Sequence, residues 1–151
     1  MGVDLSRIRP VLQRHERGDK TALVHALQDL QATYRYLPEE GVREVCAHLG
    51  VPLSKAFAVA TFYKAFSLEP RGERICRVCL GTTCHIRGAP LLVEELERLL
   101  EVRAGGTTKD LSFTLETVNC VGACAMAPVV LVDGKYHDGV VPTDLPGIVG
   151  R

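Results

Sequence analysis

Four of the six cysteines in this 151-residue chain fall into two tight pairs, and no other feature restricts the fold as strongly. Cys79-Leu80-Gly81-Thr82-Thr83-Cys84 sets four residues between its cysteines, and Cys120-Val121-Gly122-Ala123-Cys124 sets three, with 35 residues between the pairs. Each pair lies at the end of a stretch rich in strand formers, 74–79 before the first and 113–118 before the second. Both pairs are therefore expected in loops leaving strands of one sheet, where two loops converge on a single object.

Four thiolates meet the ligand number of either a structural zinc ion or an iron–sulfur cluster. Zinc knuckles commonly place two residues between paired cysteines, which grip one small ion at about 2.3 Å. A [2Fe–2S] rhomb is larger and takes one thiolate pair per iron, so the wider loops suit a cluster. Gly81 and Gly122 would let backbone N–H groups approach the sulfurs, and Thr82 and Thr83 add hydroxyl donors. The spacing is not the plant-type C-x4-C-x2-C pattern, and no cysteine–histidine pair of Rieske kind is present. A zinc-stabilised interaction module using the same four cysteines remains the alternative.

A third reading uses Cys76 and Cys79, which form C-x-x-C, as a thiol–disulfide enzyme. Such enzymes place the first cysteine at a helix N-terminus, where the dipole lowers its pKa. Cys76 instead lies inside a strand pattern and reads as a small core residue, as does Cys46 in the apolar stripe of its helix.

Charge narrows the partners. Residues 1–70 carry nine Lys/Arg against eight Asp/Glu, and residues 71–151 nine against ten. A nucleic-acid surface needs a basic excess, so nucleic acid is not expected as a partner. No apolar run is long enough for a membrane helix, so no direct membrane insertion is expected. The opening residues lack a signal-peptide stretch, which points to a reducing, cytoplasmic setting that includes the cytoplasmic face of a membrane complex. There, clustered cysteines bind metal or do redox work more often than they form structural disulfides. Met1-Gly2-x-x-x-Ser6 formally matches an acylation pattern, but Ser6 reads equally well as a helix cap.

The fold class is α/β (α+β), with a helical bundle over 1–70 and a strand-containing domain over 71–151. Leu23, Leu27, Leu30 and Tyr34 share one helical face. Pro38 suits a first helical position, followed by Glu39 and Glu40 and the stripe Val42, Val45, Cys46 and Leu49, with Gly50 as terminator. Ser54 is expected to cap a third helix running to about Phe66, with Phe57, Phe62 and Tyr63 in the core. Residues 4–17 suggest a further helix interrupted near Pro10.

Beyond the polar junction 69–73 the pattern turns to β-α-β-β. The helix spans about 89–101, with Leu92, Leu96 and Leu99 buried, a Glu94–Arg98 ion pair, and Gly105-Gly106 at its end. Residues 129–132 form an apolar strand, Asp133-Gly134 a hairpin turn into 135–137, and 143–149 a short last helix. Glu94, Glu95 and Glu97 read as a solvated face. His85 reads as a solvent-facing loop residue in preference to a proton carrier, and His137 carries less weight still.

The segments Ile75-Cys76-Arg77-Val78-Cys79-Leu80-Gly81-Thr82-Thr83-Cys84-His85-Ile86-Arg87-Gly88-Ala89 and Val118-Asn119-Cys120-Val121-Gly122-Ala123-Cys124-Ala125-Met126-Ala127-Pro128-Val129-Val130 resemble the thioredoxin-like [2Fe–2S] ferredoxin family. This is the family of the 24-kDa subunit of respiratory NADH dehydrogenase, with relatives in NAD(P)-linked hydrogenases, formate dehydrogenases and electron-bifurcating complexes. The likeness extends upstream through Tyr36-Leu37-Pro38-Glu39-Glu40 and Val59-Ala60-Thr61-Phe62-Tyr63, so it covers nearly the whole chain, in what looks like the family's compact form. The resemblance implies a thioredoxin-like second domain and Cys79, Cys84, Cys120 and Cys124 as ligands of a [2Fe–2S] cluster. It also implies a flavoprotein partner carrying FMN and the NAD(P)H site, within a multi-subunit oxidoreductase. No Gly-rich dinucleotide fingerprint occurs here, so the chain alone is not expected to oxidise NAD(P)H. The thioredoxin likeness also makes Pro128 a candidate for the cis form.

Overall fold

The computed structural model describes residues 4–150, so Met1 and Gly2 of the acylation pattern lie outside the described residues. Two compact units divide between Pro70 and Arg71.

The first unit is built on leucine and alanine faces at helical spacing. Its helices are α1 (Arg9–Leu12), α2 (Leu23–Tyr34), α3 (Glu39–Leu49) and α4 (Leu53–Phe62). Leu23, Leu27 and Leu30 of α2 bury against Val42, Val45 and Leu49 of α3 and the small Ala56 and Ala60 of α4, all in one core cluster. Prolines begin these helices. Pro10 sits in the first turn of α1 rather than interrupting a longer helix. Pro38 is the extended residue that caps α3, one position before the expected place, and Pro52 rather than Ser54 caps α4. Gly50 ends α3 in the left-handed conformation (φ 67°) that a glycine takes without penalty.

The end of α4 corrects the sequence reading. The helix stops at Phe62, because Tyr63 turns to extended backbone (φ −87°, ψ 115°). Phe62 is 78% exposed and Tyr63 47%, whereas Phe66 is buried. Two residues on from Ala60 lies about 200° around the helix, so a core face built on Ala56 and Ala60 turns Phe62 outward. The segment beyond is held by Gln31, whose Nε2 donates to the Ala65 carbonyl (2.7 Å) and whose Oε1 accepts from Ser67 N–H (2.7 Å).

The second unit is a four-stranded mixed sheet in the order β2-β1-β3-β4. β1 (Arg74–Cys79) pairs in parallel with β2 (Phe113–Val118) and antiparallel with β3 (Val130–Val132), which pairs with β4 (Lys135–His137). The parallel pair requires a crossover, supplied by α5 (Thr82–Ile86) and α6 (Ala89–Leu100). Leu92, Leu96 and Leu100 of α6 are buried, while Leu99 is only half-buried. Arg98 pairs with Glu95 at i,i+3, not with Glu94. Glu101 ends the helix in the left-handed region (φ 52°), and Gly105 and Gly106 instead bond to Leu115 of β2.

Asp133 and Gly134, both at positive φ, make the two-residue turn between β3 and β4. Asp133 also fastens the start of β1: its carboxylate accepts from Ile75 N–H (2.9 Å) and Arg74 Nε (3.0 Å). α7 (Leu145–Val149) closes the unit, and Leu145 and Val149 join its core. Among the described residues no helix is long and apolar enough to cross a membrane.

The contrast between the two faces of the first unit is measurable. Leu30→Ala should lower the unfolding free energy by about 2–5 kcal/mol, as a buried leucine truncation does. Phe62→Ser should change it by no more than about 0.5 kcal/mol. Urea unfolding followed by far-UV circular dichroism distinguishes the two.

Candidate metal centre

Parallel pairing of β1 and β2 places both carboxyl ends at one edge of the sheet. Cys79 is the last residue of β1 and stands in register with Val118, the last of β2, so Cys120 begins the loop two residues beyond the same edge. The third segment returns antiparallel. The Cys79 N–H donates to the Val129 carbonyl (3.2 Å), so the approach to β3, including the cis Ala127–Pro128 peptide, lies beside the end of β1.

The first pair does not lie wholly in a loop as expected, because Cys84 sits on the short helix α5 and is buried. Cys124 opens a 3-10 turn, and Cys120 and Cys124 are exposed. The sulfurs are arranged as two couples. Cys84 lies close enough to influence the Cys79 thiol, Cys79 Sγ donates to the Asn119 carbonyl (3.7 Å), and the Cys120 and Cys124 sulfurs lie 3.7 Å apart. The cross-connection is glycine. A Cβ at Gly81 would stand 2.9 Å from Cys120 Cβ and 3.0 Å from its Cα, so the two loops close only with no side chain there.

Backbone donors surround the sulfurs. Gly122 N–H points to Cys120 Sγ at 3.4 Å. Burial pushes the Cys79 thiol up, but the N–H groups of Gly81 and Val121, with Cys84, outweigh it and leave it below the ordinary thiol value. Cys84 goes the other way: burial raises it, against the Val129 N–H, and the neighbouring Cys79 raises it further. Cys79 is thus the member of the couple that holds negative charge first. The expected hydroxyl donors take no such part, since Thr82 is exposed and no hydrogen bond from Thr82 or Thr83 to sulfur occurs among the described residues.

The other cysteines are core. Cys76 is fully buried within β1, and burial pushes its thiol up to about 11; Cys46 is buried in α3 and raised for the same reason. A strand-interior, high-pKa thiol is a poor nucleophile, which disfavours the thiol–disulfide reading. His85 is exposed on α5, in keeping with a solvent-facing residue. Sequence reasoning gives no role to Arg87, three residues beyond Cys84, whose Nη1 donates to the Ala127 carbonyl (3.2 Å).

The donor set fits a cluster. Two sulfurs bound to one tetrahedral metal at about 2.3 Å stand roughly 3.8 Å apart, which the Cys120–Cys124 separation matches. The Cys84 thiol is also raised by Cys124 of the other couple, so the two couples face one another at this edge. Paired thiols at the carboxyl edge of a mixed sheet, with N–H groups directed at sulfur, suit a four-thiolate iron–sulfur centre.

The model of the thioredoxin-like [2Fe–2S] ferredoxin family matches residues 8–151, and the chain belongs to that family, with a [2Fe–2S] cluster as its cofactor. It is 36% identical over 129 residues to the HndA component of the NADP-reducing hydrogenase of Solidesulfovibrio fructosivorans, covering 85% of this chain and 75% of that one. It is 40% identical over 118 residues to an E-type component of the NADH-quinone oxidoreductase of Rhizobium meliloti (strain 1021), covering 78% and 70%. The E-type component of the Escherichia coli (strain K12) NADH-quinone oxidoreductase is 31% identical over 91% of this chain and 82% of its own length. The fold is similar to that of a chain in the NAD+-reducing [NiFe]-hydrogenase in the H2-reduced state, with a TM-score of 0.70 at 18% identity. That likeness covers 90% of this chain and 22% of the hydrogenase chain.

Two outcomes follow from this geometry. Gly81→Ala should force the loops apart and reduce iron and acid-labile sulfide to less than about half of wild type, as measured on purified protein. Cys76 should resist alkylation until the protein unfolds. Because its folded pKa lies above the ordinary thiol value of 9.0, its contribution to stability is complete below pH 9 and is lost as pH rises through about 11. Urea midpoints across that window check the sign, with Cys76→Ala expected to flatten the loss.

Proposed function

We propose that this chain is the one-electron-transfer subunit of a multi-subunit NAD(P)H-linked oxidoreductase, with Cys79, Cys84, Cys120 and Cys124 as the cluster ligands. The observation that carries the ligand assignment is the convergence of two cysteine couples at the shared edge of β1 and β2, with Gly81 packed on Cys120. When bound, a four-thiolate [2Fe–2S] centre supplies transfer of single electrons. The chain's own residues hold it: the β1 end and α5 supply one couple, and the loop after β2 supplies the other. Backbone N–H groups of Gly81, Val121, Gly122 and Val129 favour the thiolate state and moderate the negative charge that accumulates there.

The partner in this reading is a flavoprotein that binds FMN and NAD(P)H. A hydride carries two electrons and the cluster takes one, so a two-electron carrier must stand between them. The relatives' names support membership of such a complex, as subunits of an NADP-reducing hydrogenase and of NADH-quinone oxidoreductases. Six free thiols suit a reducing compartment, and we place the chain in the cytoplasm or on the cytoplasmic face of a membrane complex.

Anaerobic purification with iron, sulfide and zinc analysis, and an EPR spectrum after dithionite reduction, tests the assignment. The expected result is a two-iron, two-sulfide stoichiometry with a spin-½ signal in the reduced state, lost in Cys84→Ala and Cys120→Ala. One zinc with no sulfide, or a full signal in either variant, would overturn it. Turnover of NAD(P)H by the purified single chain would overturn the division of labour with a flavoprotein.

A further inference from the structure

We propose that Arg87 is a positioning residue that ties the two cysteine segments together and sets a permanent positive charge beside them, raising the reduction potential. The inference rests on the ligand assignment above.

Arg87 is the C-terminal cap of α5, the short helix that carries Cys84, and its own N–H donates to the Thr83 carbonyl (3.1 Å). Its guanidinium reaches across 40 positions of sequence to the Ala127 carbonyl (3.2 Å). The N–H of Ala127 in turn donates to the Cys124 carbonyl (3.3 Å). A continuous run of bonds thus leads from the helix of one couple, through Arg87, to the backbone of a cysteine in the other. Gly81 lets the segments approach, and Arg87 adds a charged side-chain bond between them to the contact of Cys79 Sγ with the Asn119 carbonyl.

The chemistry of this side chain adds a second effect. A guanidinium stays charged throughout the working pH range, and its planar fork holds a carbonyl in fixed direction. A fixed cation near the site stabilises the more negative, reduced state, which raises the potential. Because Arg87 is exposed, salt screens this effect; the Debye length is about 10 Å at 0.1 M.

The test uses holoprotein of the wild type, Arg87→Gln and Arg87→Lys, with two readouts. One is the midpoint of the EPR signal in a redox titration at low and high salt. The other is hydrogen exchange of residues 120–127, followed by mass spectrometry. Arg87→Gln should titrate at a more negative potential, with the difference shrinking at high salt, and should exchange about three- to tenfold faster in that segment. Arg87→Lys should keep the potential near wild type while exchanging faster, which a purely structural role would not separate. Wild-type potential and wild-type exchange in Arg87→Gln would overturn the proposal, as would equal potential shifts in both variants. Should Arg87→Gln fail to hold the site, wild-type exchange in Arg87→Lys would overturn the latch. A full EPR signal in Cys124→Ala would overturn the ligand assignment itself; loss of that signal with unaltered Arg87 variants would overturn only the role given to Arg87.

Discussion

Everything in the second unit depends on β1 and β2 running parallel and ending together. A parallel ladder puts like ends at one edge, and its crossover must travel back along the sheet before the second strand starts. Cysteines 41 positions apart in sequence, Cys79 and Cys120, therefore arrive at neighbouring places. An antiparallel hairpin would have sent them to opposite edges. The 35-residue gap between the couples is the length of that return journey, taken up by the end of α5, by α6, by the connection 101–112 and by the strand β2 itself.

The energetics around this edge are those of a charge held by dipoles. The donors directed at the sulfurs are main-chain N–H groups whose directions are fixed by the loops. Such donors do not titrate and need no reorganisation when electron number changes, which suits a centre whose task is to change charge repeatedly. The loops must hold their shape for this to work, so glycine at the point of closest approach and the cross-loop arginine serve one requirement from two sides.

Much of this is legible from local sequence, and what is not has a common cause. The leucine stripes of α2 and α6 have enough repeats to declare their period, and Leu23, Leu27, Leu30, Leu92 and Leu96 are buried as that period requires, although Leu100 takes the place expected of Leu99. β1 and β2 fall where their strand formers lie, but Phe113, Thr114 and Leu115 are all buried. α5 has five residues, too few for any periodicity, so Cys84 reads as a loop residue. Hydrophobicity alone assigns Phe57, Phe62 and Tyr63 to the core; the core face of α4 is instead its alanines, which allow close helix approach and turn Phe62 and Tyr63 outward. The pairing of Arg98 with Glu95 rather than Glu94 is a choice between two allowed helical spacings, which spacing alone does not decide. Arg87 is invisible in the sequence because its partner is a carbonyl, which no residue type announces.

Asp133 gives β1 a second character. At the strand's beginning a carboxylate and a tight turn fasten its alignment; at its finish stand the sulfur and the loops. Pairing order and chemistry are thereby governed from opposite termini of one six-residue segment. Substitutions among the loops at the far end leave this anchor untouched, so the surroundings of the sulfurs can change while the register of the sheet beneath them is still held from its other end.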